Sequence, residues 1–265
     1  MERIGFTAEP KRDLETLRAL HRLHPFAIPF ENLSTLAGDP VSLDIDSIAE
    51  KLIRQRRGGY CFEQNTLLQT VLETLGFDVL PLAARVVWNQ STGQVNPRTH
   101  MVLLVSVADR QFLCDVGFGG ATLTAPLEFS PGIIQQTPHE PFRIRQSGDE
   151  FVLEVRLGGE WRPAYEFDLQ PQQPIDYEAM NHFVQTHPSS HFRYALMAGR
   201  PDSRGRHAIG GNELSRYENG ELVERRRLES VDALASALRE RFGIEAPSSP
   251  GLDSALESVA ASTEP

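Results

Sequence analysis

The chain has 265 residues and a formal net charge of −10. Apolar side chains make up 40% of it and charged ones 23%, which excludes wholesale disorder and leaves enough apolar material for a sizeable core. The acidic balance excludes a nucleic-acid binder that works through a basic face, although a local arginine cluster can still hold an anion.

The N-terminus, MERIGFTAEPKRDLE, lacks the apolar centre of a secretion signal. No apolar run reaches the ~18 residues of a membrane span. Two cysteines, Cys61 and Cys114, are too few for a disulfide framework and show no zinc spacing. A cytoplasmic location is therefore expected, with both cysteines as thiols.

The first helix is expected from Pro10 to His24. Leu14, Leu17, Leu20 and Leu23 recur along one side, and Pro10 suits a first turn. PFAIPFENL (25–33) reads as a loop or bend because of its two prolines. A second helix is expected from Leu43 to Arg54, with Ile45, Ile48, Leu52 and Ile53 apolar, stopped by Gly58-Gly59. A third should run from Cys61 to Leu75. Leu67, Leu68, Val71, Leu72 and Leu75 form its stripe, and counting back by turns puts Cys61 at the buried edge of its first turn.

The pattern then changes to strands at 80–88, 100–107, 111–118, 141–146 and 150–157, mostly antiparallel and separated by turn residues. EAMNHFVQTHPSSHFR (178–193) is mixed. Residues 205–228 read as short strands around an Asn-Gly turn, and Val231 to Phe242 as a helix. The last 19 residues are small and polar and are expected to form a loose tail with at most one weak helical turn. There is no internal repeat.

The stretch RRGGYCFEQN (56–65) raises the question of why a cysteine sits there. A thiol attacks as thiolate, and a helix N-terminus or a nearby imidazolium lowers its pKa. Gly58-Gly59 is expected to turn the backbone into the helix and leave the approach to the sulfur open. The unpaired N–H groups of the first turn, that of Cys61 included, suit an oxyanion. The other reading of Cys61 is a small buried hydrophobe.

A base is needed beside it. His100 opens the strand HMVLLVSV, and Asp115 lies in QFLCDVGF. With a turn around Asp109-Arg110 and an even loop, opposed positions sum to an odd number, so 100 and 115 share a face. Asp115 would hold the imidazole in one tautomer, and an aspartate in an apolar strand needs such a partner. Cys114 faces the other way and reads as core. His21 and His24 lie on a helix flank. His182, His187 and His191 lack the carboxylates or cysteines of a metal site, and no metal is expected.

PFENL (29–33), RRGGYCFEQN (56–65), THMVLLV (99–105), CDVGFGG (114–120) and NHFVQTHPSSHF (181–192), with 39 residues from Cys61 to His100 and 15 more to Asp115, resemble the arylamine N-acetyltransferase family. The likeness covers about residues 10 to 230. It implies an α+β fold with three regions: an N-terminal helical bundle carrying Cys61 (1–83), an antiparallel β-barrel carrying His100 and Asp115 (84–190), and a C-terminal α/β lid (191–265) with a flexible tail. The first two would form a core like that of cysteine proteases and transglutaminases.

The resemblance also implies an acyltransferase. Acetyl would pass from acetyl-CoA, as cosubstrate, through acetyl-Cys61 to arylamines, arylhydrazines or N-hydroxyarylamines in xenobiotic metabolism. Cys61, His100 and Asp115 would form the catalytic triad. Phe30 and Phe118 resemble the family's acceptor-pocket positions, and both also suit plain core packing. Gly119 and Gly120 resemble the glycine loop that faces the CoA phosphates, and both also suit a turn. Arg57 is expected to form a structural ion pair, and Glu63 and Asn65 to cap and brace the helix start. Arg225, Arg226 and Arg227 suit a solvated face or CoA phosphates. Partners are expected to be small molecules only, for a monomer or homodimer, with no nucleic acid or membrane. The alternatives are a macrocycle-forming amide synthase or a cysteine hydrolase with the same triad, and a non-enzymatic binding module that has kept a fossil triad.

Overall fold

The structure is a computed structural model, and it describes residues 1–89 and 95–262. Helix α1 spans Leu14–Ala27. It starts later than Pro10 because the Asp13 carboxylate accepts the Thr16 N–H at 2.8 Å and caps the helix there. A two-residue strand β1, Phe30–Glu31, and a short helix α2, Leu33–Ala37, follow in the segment read as a bend. Helix α3, Ile45–Ala49, runs on into a π-helical turn, Glu50–Arg54. Helix α4, Cys61–Thr74, buries Leu67, Leu68 and Leu72, and Gly76 in the left-handed region ends it.

The barrel is one antiparallel sheet of eight strands: β2 Asp78–Val86, β3 Arg98–Val107, β4 Arg110–Cys114, β5 Leu127–Glu128, β6 Ile134–Gln136, β7 Pro141–Ser147, β8 Glu150–Leu157 and β9 Glu160–Pro171. The order is β5-β4-β3-β2-β9-β8-β7-β6. Its two edges meet through a side chain. The Gln135 amide of β6 accepts the Glu128 N–H of β5 and donates to the Glu128 carbonyl, each at 2.8 Å, and so nearly closes the barrel.

Strand β3 is apolar without alternation because both of its faces are covered. Val102 and Leu104 join the barrel core with Leu82, Phe142, Leu153 and Phe167, while Met101, Leu103 and Val105 pack on the helix side with Leu68 and Leu72. Strand β9 escapes the sequence pattern because it contains Pro163. That proline is tolerated opposite Glu154 at a β-bulge. Helix α5, Pro174–Thr186, has Pro174 in its first turn, and the Asp176 carboxylate reaches back to the Gln173 N–H at 2.8 Å.

The third layer is a five-stranded antiparallel sheet. Its strands are β10 Met197–Pro201, β11 Arg206–Gly210, β12 Glu213–Glu218 and β13 Glu221–Arg227, with β1 at the edge beside β10. The N-terminal segment thus supplies a strand to the C-terminal layer, and β2 begins inside the stretch read as helical bundle. Helix α6, Val231–Ala237, packs on this sheet and ends in a π-helical turn, Leu238–Phe242.

The expected flexible C-terminal tail is corrected. Residues Pro250–Ala261 form helix α7. Ser249 caps it, Pro250 occupies its first turn, and Leu252, Leu256 and Val259 recur at helical spacing into the core with Leu33, Leu36 and Leu234. Small residues between them hid the stripe. The final three residues lie outside the described set. No helix among the described residues is long and apolar enough to cross a membrane.

Candidate active site

Cys61 is the first residue of α4, and its position is set by the chain before it. A Cβ on Gly58 would lie 2.2 Å from the Pro29 carbonyl oxygen, and one on Gly59 would lie 2.5 Å from the Glu63 carboxylate. The glycines therefore permit a close backbone approach to the segment around β1, where the Glu31 N–H donates to the Gly59 carbonyl at 3.1 Å. That approach, and not an open path to the sulfur, is what occupies the space around them. Glu63 caps the helix start: Oε2 accepts the Tyr60 N–H at 3.1 Å, and Oε1 takes the Lys51 ammonium at 2.8 Å. Arg57 pairs with the buried Glu31 at 2.9 Å, as a structural ion pair should.

His100 lies near the start of β3, and Asp115 directly follows β4. The connecting turn is Ala108-Asp109, one residue earlier than the sequence suggests, with Ala108 at φ 52°. The loop is still even, so Leu103 pairs with Cys114 and the expected odd-sum register holds. His100 Nε2 donates to Asp115 Oδ2 at 2.8 Å, with both side chains buried. That leaves Nδ1 for the other side of the ring, where the Cys61 thiol contributes to its electrostatics. Cys61 is 4% exposed, and its sulfur lies 3.6 Å from the carbonyl oxygen of Thr99, the residue before His100.

Burial alone would push His100 down. The Asp115 charge, its hydrogen bond and the Cys61 sulfur outweigh burial and raise His100 to about 10. Burial would likewise raise Asp115. The His100 charge and hydrogen bonds from His100, Asn65 and the Gly117 N–H prevail, and they hold it below the usual carboxylate range. Cys114 is wholly buried in the helix-side core, and burial pushes its thiol far up. The structure therefore brings Cys61, His100 and Asp115 together and sets Cys114 apart.

The model of a family described as N-acetyltransferase matches residues 13–249. The arylamine N-acetyltransferase of Mycolicibacterium smegmatis is 43% identical over 249 residues, covering 92% of this chain and 90% of the relative. The chain belongs to the arylamine N-acetyltransferase family. The Escherichia coli K12 arylamine N-acetyltransferase is similarly 43% identical, over 91% of this chain and 86% of its own length. A solved M. smegmatis arylamine N-acetyltransferase superposes with a TM-score of 0.93 at 40% identity, over 98% of this chain and 97% of that one. The Mycobacterium marinum arylamine N-acetyltransferase solved in complex with CoA matches with a TM-score of 0.93 at 39% identity, over 97% of both chains.

Of the positions that resemble the family's acceptor pocket, Phe118 packs edge-on against His100 at 5.3 Å and against Trp88 and Tyr165. Phe30 is buried against Phe192 and Gly119. Gly119 has φ +83°, a conformation that requires glycine, and its carbonyl accepts the Thr122 hydroxyl at 2.9 Å. Gly120 lies beside Ala208. Arg225 pairs with Glu213, and Arg227 bonds the Ser262 carbonyl. His187 stacks on Phe183 and His191 lies against Phe192, and no group of three metal-ligating side chains occurs among the described residues.

Sequence reasoning underrated four residues. Asn65 does more than brace the helix: it binds Asp115 and the Met101 carbonyl. Its signal was its place one turn after Cys61, on the same helix side. Tyr165 lies tilted against His100 at 4.9 Å, and its buried hydroxyl lies beside Asp115. It sits in the strand that Pro163 concealed. His21 and His24, read as flank residues, are both buried, and a polar residue on the apolar stripe of α1 was the sign.

Proposed function

We propose that the chain transfers acetyl groups from acetyl-CoA to arylamines, arylhydrazines or N-hydroxyarylamines through a covalent acetyl-Cys61 intermediate, with His100 and Asp115 completing the triad. One arrangement carries this reading: His100 spends Nε2 on Asp115, which leaves Nδ1 for the sulfur at the start of α4. His100, raised to about 10, holds a proton beside the sulfur, and a cysteine reacts as its thiolate. The thiolate attacks the thioester carbonyl, and the imidazolium gives its proton to the departing CoA thiolate. Neutral His100 then takes the proton of the attacking amine as the acetyl group leaves Cys61. The N–H groups of the first helical turn face the developing oxyanion.

Acetyl-CoA as donor is supported by the relative solved with CoA, and the acceptor classes by the names of the relatives, including the N-hydroxyarylamine O-acetyltransferase of Salmonella typhimurium. Phe30 and Phe118 are read as the acceptor pocket, and Gly119 and Gly120 as the loop facing CoA. The division into helical bundle, barrel and lid at about residues 83 and 190, a monomer or homodimer, and a cytoplasmic location belong to the same reading. Two free cysteines suit a reducing compartment.

The test is intact-protein mass after brief mixing with acetyl-CoA and again after an aromatic hydrazine. A gain of about 42 Da on Cys61 that the hydrazine discharges is the expected result. No adduct on the folded protein would overturn the reading and favour an amide synthase or a cysteine hydrolase.

A further inference from the structure

The pairing of β3 with β4 ends at Leu103 and Cys114. Beyond it, three consecutive main-chain N–H groups enter the interior without a strand to bind. Each ends on a side chain: Asp115 N–H on His21 Nε2 at 3.1 Å, Val116 N–H on Asn65 Oδ1 at 3.0 Å, and Gly117 N–H on Asp115 Oδ1 at 2.9 Å. The segment is thus gripped from α1 on one side and from α4 on the other. The grip from α4 lies beside Cys61. The grip from α1 is made by a residue that touches neither Cys61 nor His100 through any hydrogen bond.

An N–H group only donates. His21 Nε2 must therefore carry a lone pair, and the ring proton sits on Nδ1. An imidazolium would set donor against donor. The environment enforces the neutral ring: burial pushes His21 down to about 3, the Asp115 charge pulls the other way, and His24 adds to the lowering. Nδ1 is buried and has no hydrogen-bond partner among the described residues. A leucine at this place on the Leu17–Leu20 stripe would leave no unmet donor of its own. What the histidine adds is the acceptor for Asp115.

We propose that His21 is a positioning residue of the acetyl-transfer site: its neutral imidazole accepts the main-chain N–H of Asp115 and so fixes the carboxylate that orients His100. The aspartate side chain is short, so a shift of its backbone moves the carboxylate nearly as far, and sub-ångström placement matters for proton transfer. The proposal rests on the reading of Cys61, His100 and Asp115 as the catalytic set.

Two measurements test it. In the wild-type protein, nitrogen NMR of labelled histidines should find His21 neutral from about pH 5 to about pH 9, protonated on Nδ1, with a coupling across the Asp115 N–H to Nε2. A ring that titrates near its ordinary value, or one protonated on Nε2, overturns the proposal.

The second measurement compares His21→Leu with His21→Gln, whose amide oxygen can accept the same N–H. In His21→Leu the rate of Cys61 acetylation by acetyl-CoA should fall about tenfold. The His100 titration midpoint, raised to about 10 in the wild type, should fall by about one unit in the NMR titration. The KM for an aromatic hydrazine should change less than about twofold. His21→Gln should stay within about threefold of wild type. A purely structural role would lower the amount of active protein without moving the midpoint, and His21→Leu with the wild-type rate and midpoint overturns the proposal. If His21→Leu does not fold, the NMR result and His21→Gln decide, and a folded His21→Gln that is as slow as a His100 variant overturns it. Wild-type protein that takes up no acetyl group defeats the reading of the catalytic set instead, whereas the NMR result concerns His21 alone.

Discussion

Asn65 holds the aspartate loop at two points: its amide nitrogen donates to Asp115 Oδ1 at 3.0 Å, and its oxygen accepts the neighbouring Val116 N–H at 3.0 Å. A second hydrogen on the same nitrogen reaches the Met101 carbonyl at 2.8 Å. The helix that starts at Cys61 is thereby tied to the loop that carries the aspartate.

Asn65→Ala leaves the Val116 N–H and the Met101 carbonyl buried and unmet. Each such group costs about 1–3 kcal/mol, so a loss of roughly 3 kcal/mol in urea unfolding is expected. Single-turnover acetylation should fall about 10- to 100-fold because the carboxylate is freed. Asn65→Asp should be worse, since a second carboxylate beside Asp115 raises the pair's pKa and loosens the hold on His100. An Asn65→Ala enzyme with the wild-type rate would show that the tie is irrelevant to chemistry.

The two cysteines should separate cleanly in alkylation. Cys61 begins a helix next to His100, whereas Cys114 is 0% exposed and burial pushes its thiol up. Iodoacetamide at neutral pH should label Cys61 faster by at least about a hundredfold, read by peptide mass. Comparable rates at the two sites would remove the case for an activated thiol.

Much of this was legible in the sequence, for physical reasons that can be named. The α4 stripe, the start of that helix at Cys61 and the shared face of His100 and Asp115 follow from helical period, glycine punctuation and strand parity, which are local rules. The structure keeps the parity even though the turn lies one residue earlier. What local rules miss is contact between distant segments. β1 becomes a strand only because β10 lies beside it. Pro163 reads as a strand breaker until the bulge opposite Glu154 is seen. His21 lies 94 positions from Asp115, and no periodicity links them. Helix α7 is legible in principle from Ser249, Pro250 and the spacing of Leu252, Leu256 and Val259, but the small and polar residues between them mask the period.

Gly117 should tolerate no side chain. A Cβ there would lie 2.7 Å from the Cys61 Cα and 3.1 Å from the Asn65 amide nitrogen, and the Cys61 backbone cannot rotate away as a side-chain end could. Gly117→Ala should cost about 1–3 kcal/mol as overpacking. It should slow acetylation about a hundredfold, because helix start and aspartate loop are forced apart. Gly210→Ala is the control: nothing lies within 4 Å of its Cβ position, and it should leave the rate unchanged.

Helix α7 should be part of the folded unit. Leu252 is fully buried in the core of the third layer, and the Gly251 backbone lies against the Ala37 carbonyl. Leu252→Ala should cost about 2–5 kcal/mol. Truncation before Ser249 should lower the melting temperature further, because it uncovers Leu33, Leu36 and Leu234 together. A truncated protein with unchanged melting would restore the loose-tail reading.

Stability should peak near pH 6.5, because the buried histidines are shifted in opposite directions. Burial lowers His21 to about 3 and His24 to about 4, from an ordinary 6.5. Between those values and 6.5 the unfolded chain binds protons that the folded chain refuses, so stability falls as the pH drops below 6.5. His100 is raised to about 10, so its contribution is fully present below 6.5 and is lost as the pH rises toward 10. Asp115 is held below its ordinary 3.8, and its contribution disappears only under acid below that value. Urea midpoints from about pH 5 to about pH 9 at fixed ionic strength should therefore trace a bell. His24→Gln tests one limb: His24 Nε2 donates to the Gln64 oxygen at 2.6 Å, and a glutamine amide can do the same without titrating. The acid limb should lose about one proton of slope while the alkaline limb stays. A midpoint that still climbs from about pH 7 to about pH 9 would mean that Asp115 does not hold a proton on His100 in the folded protein.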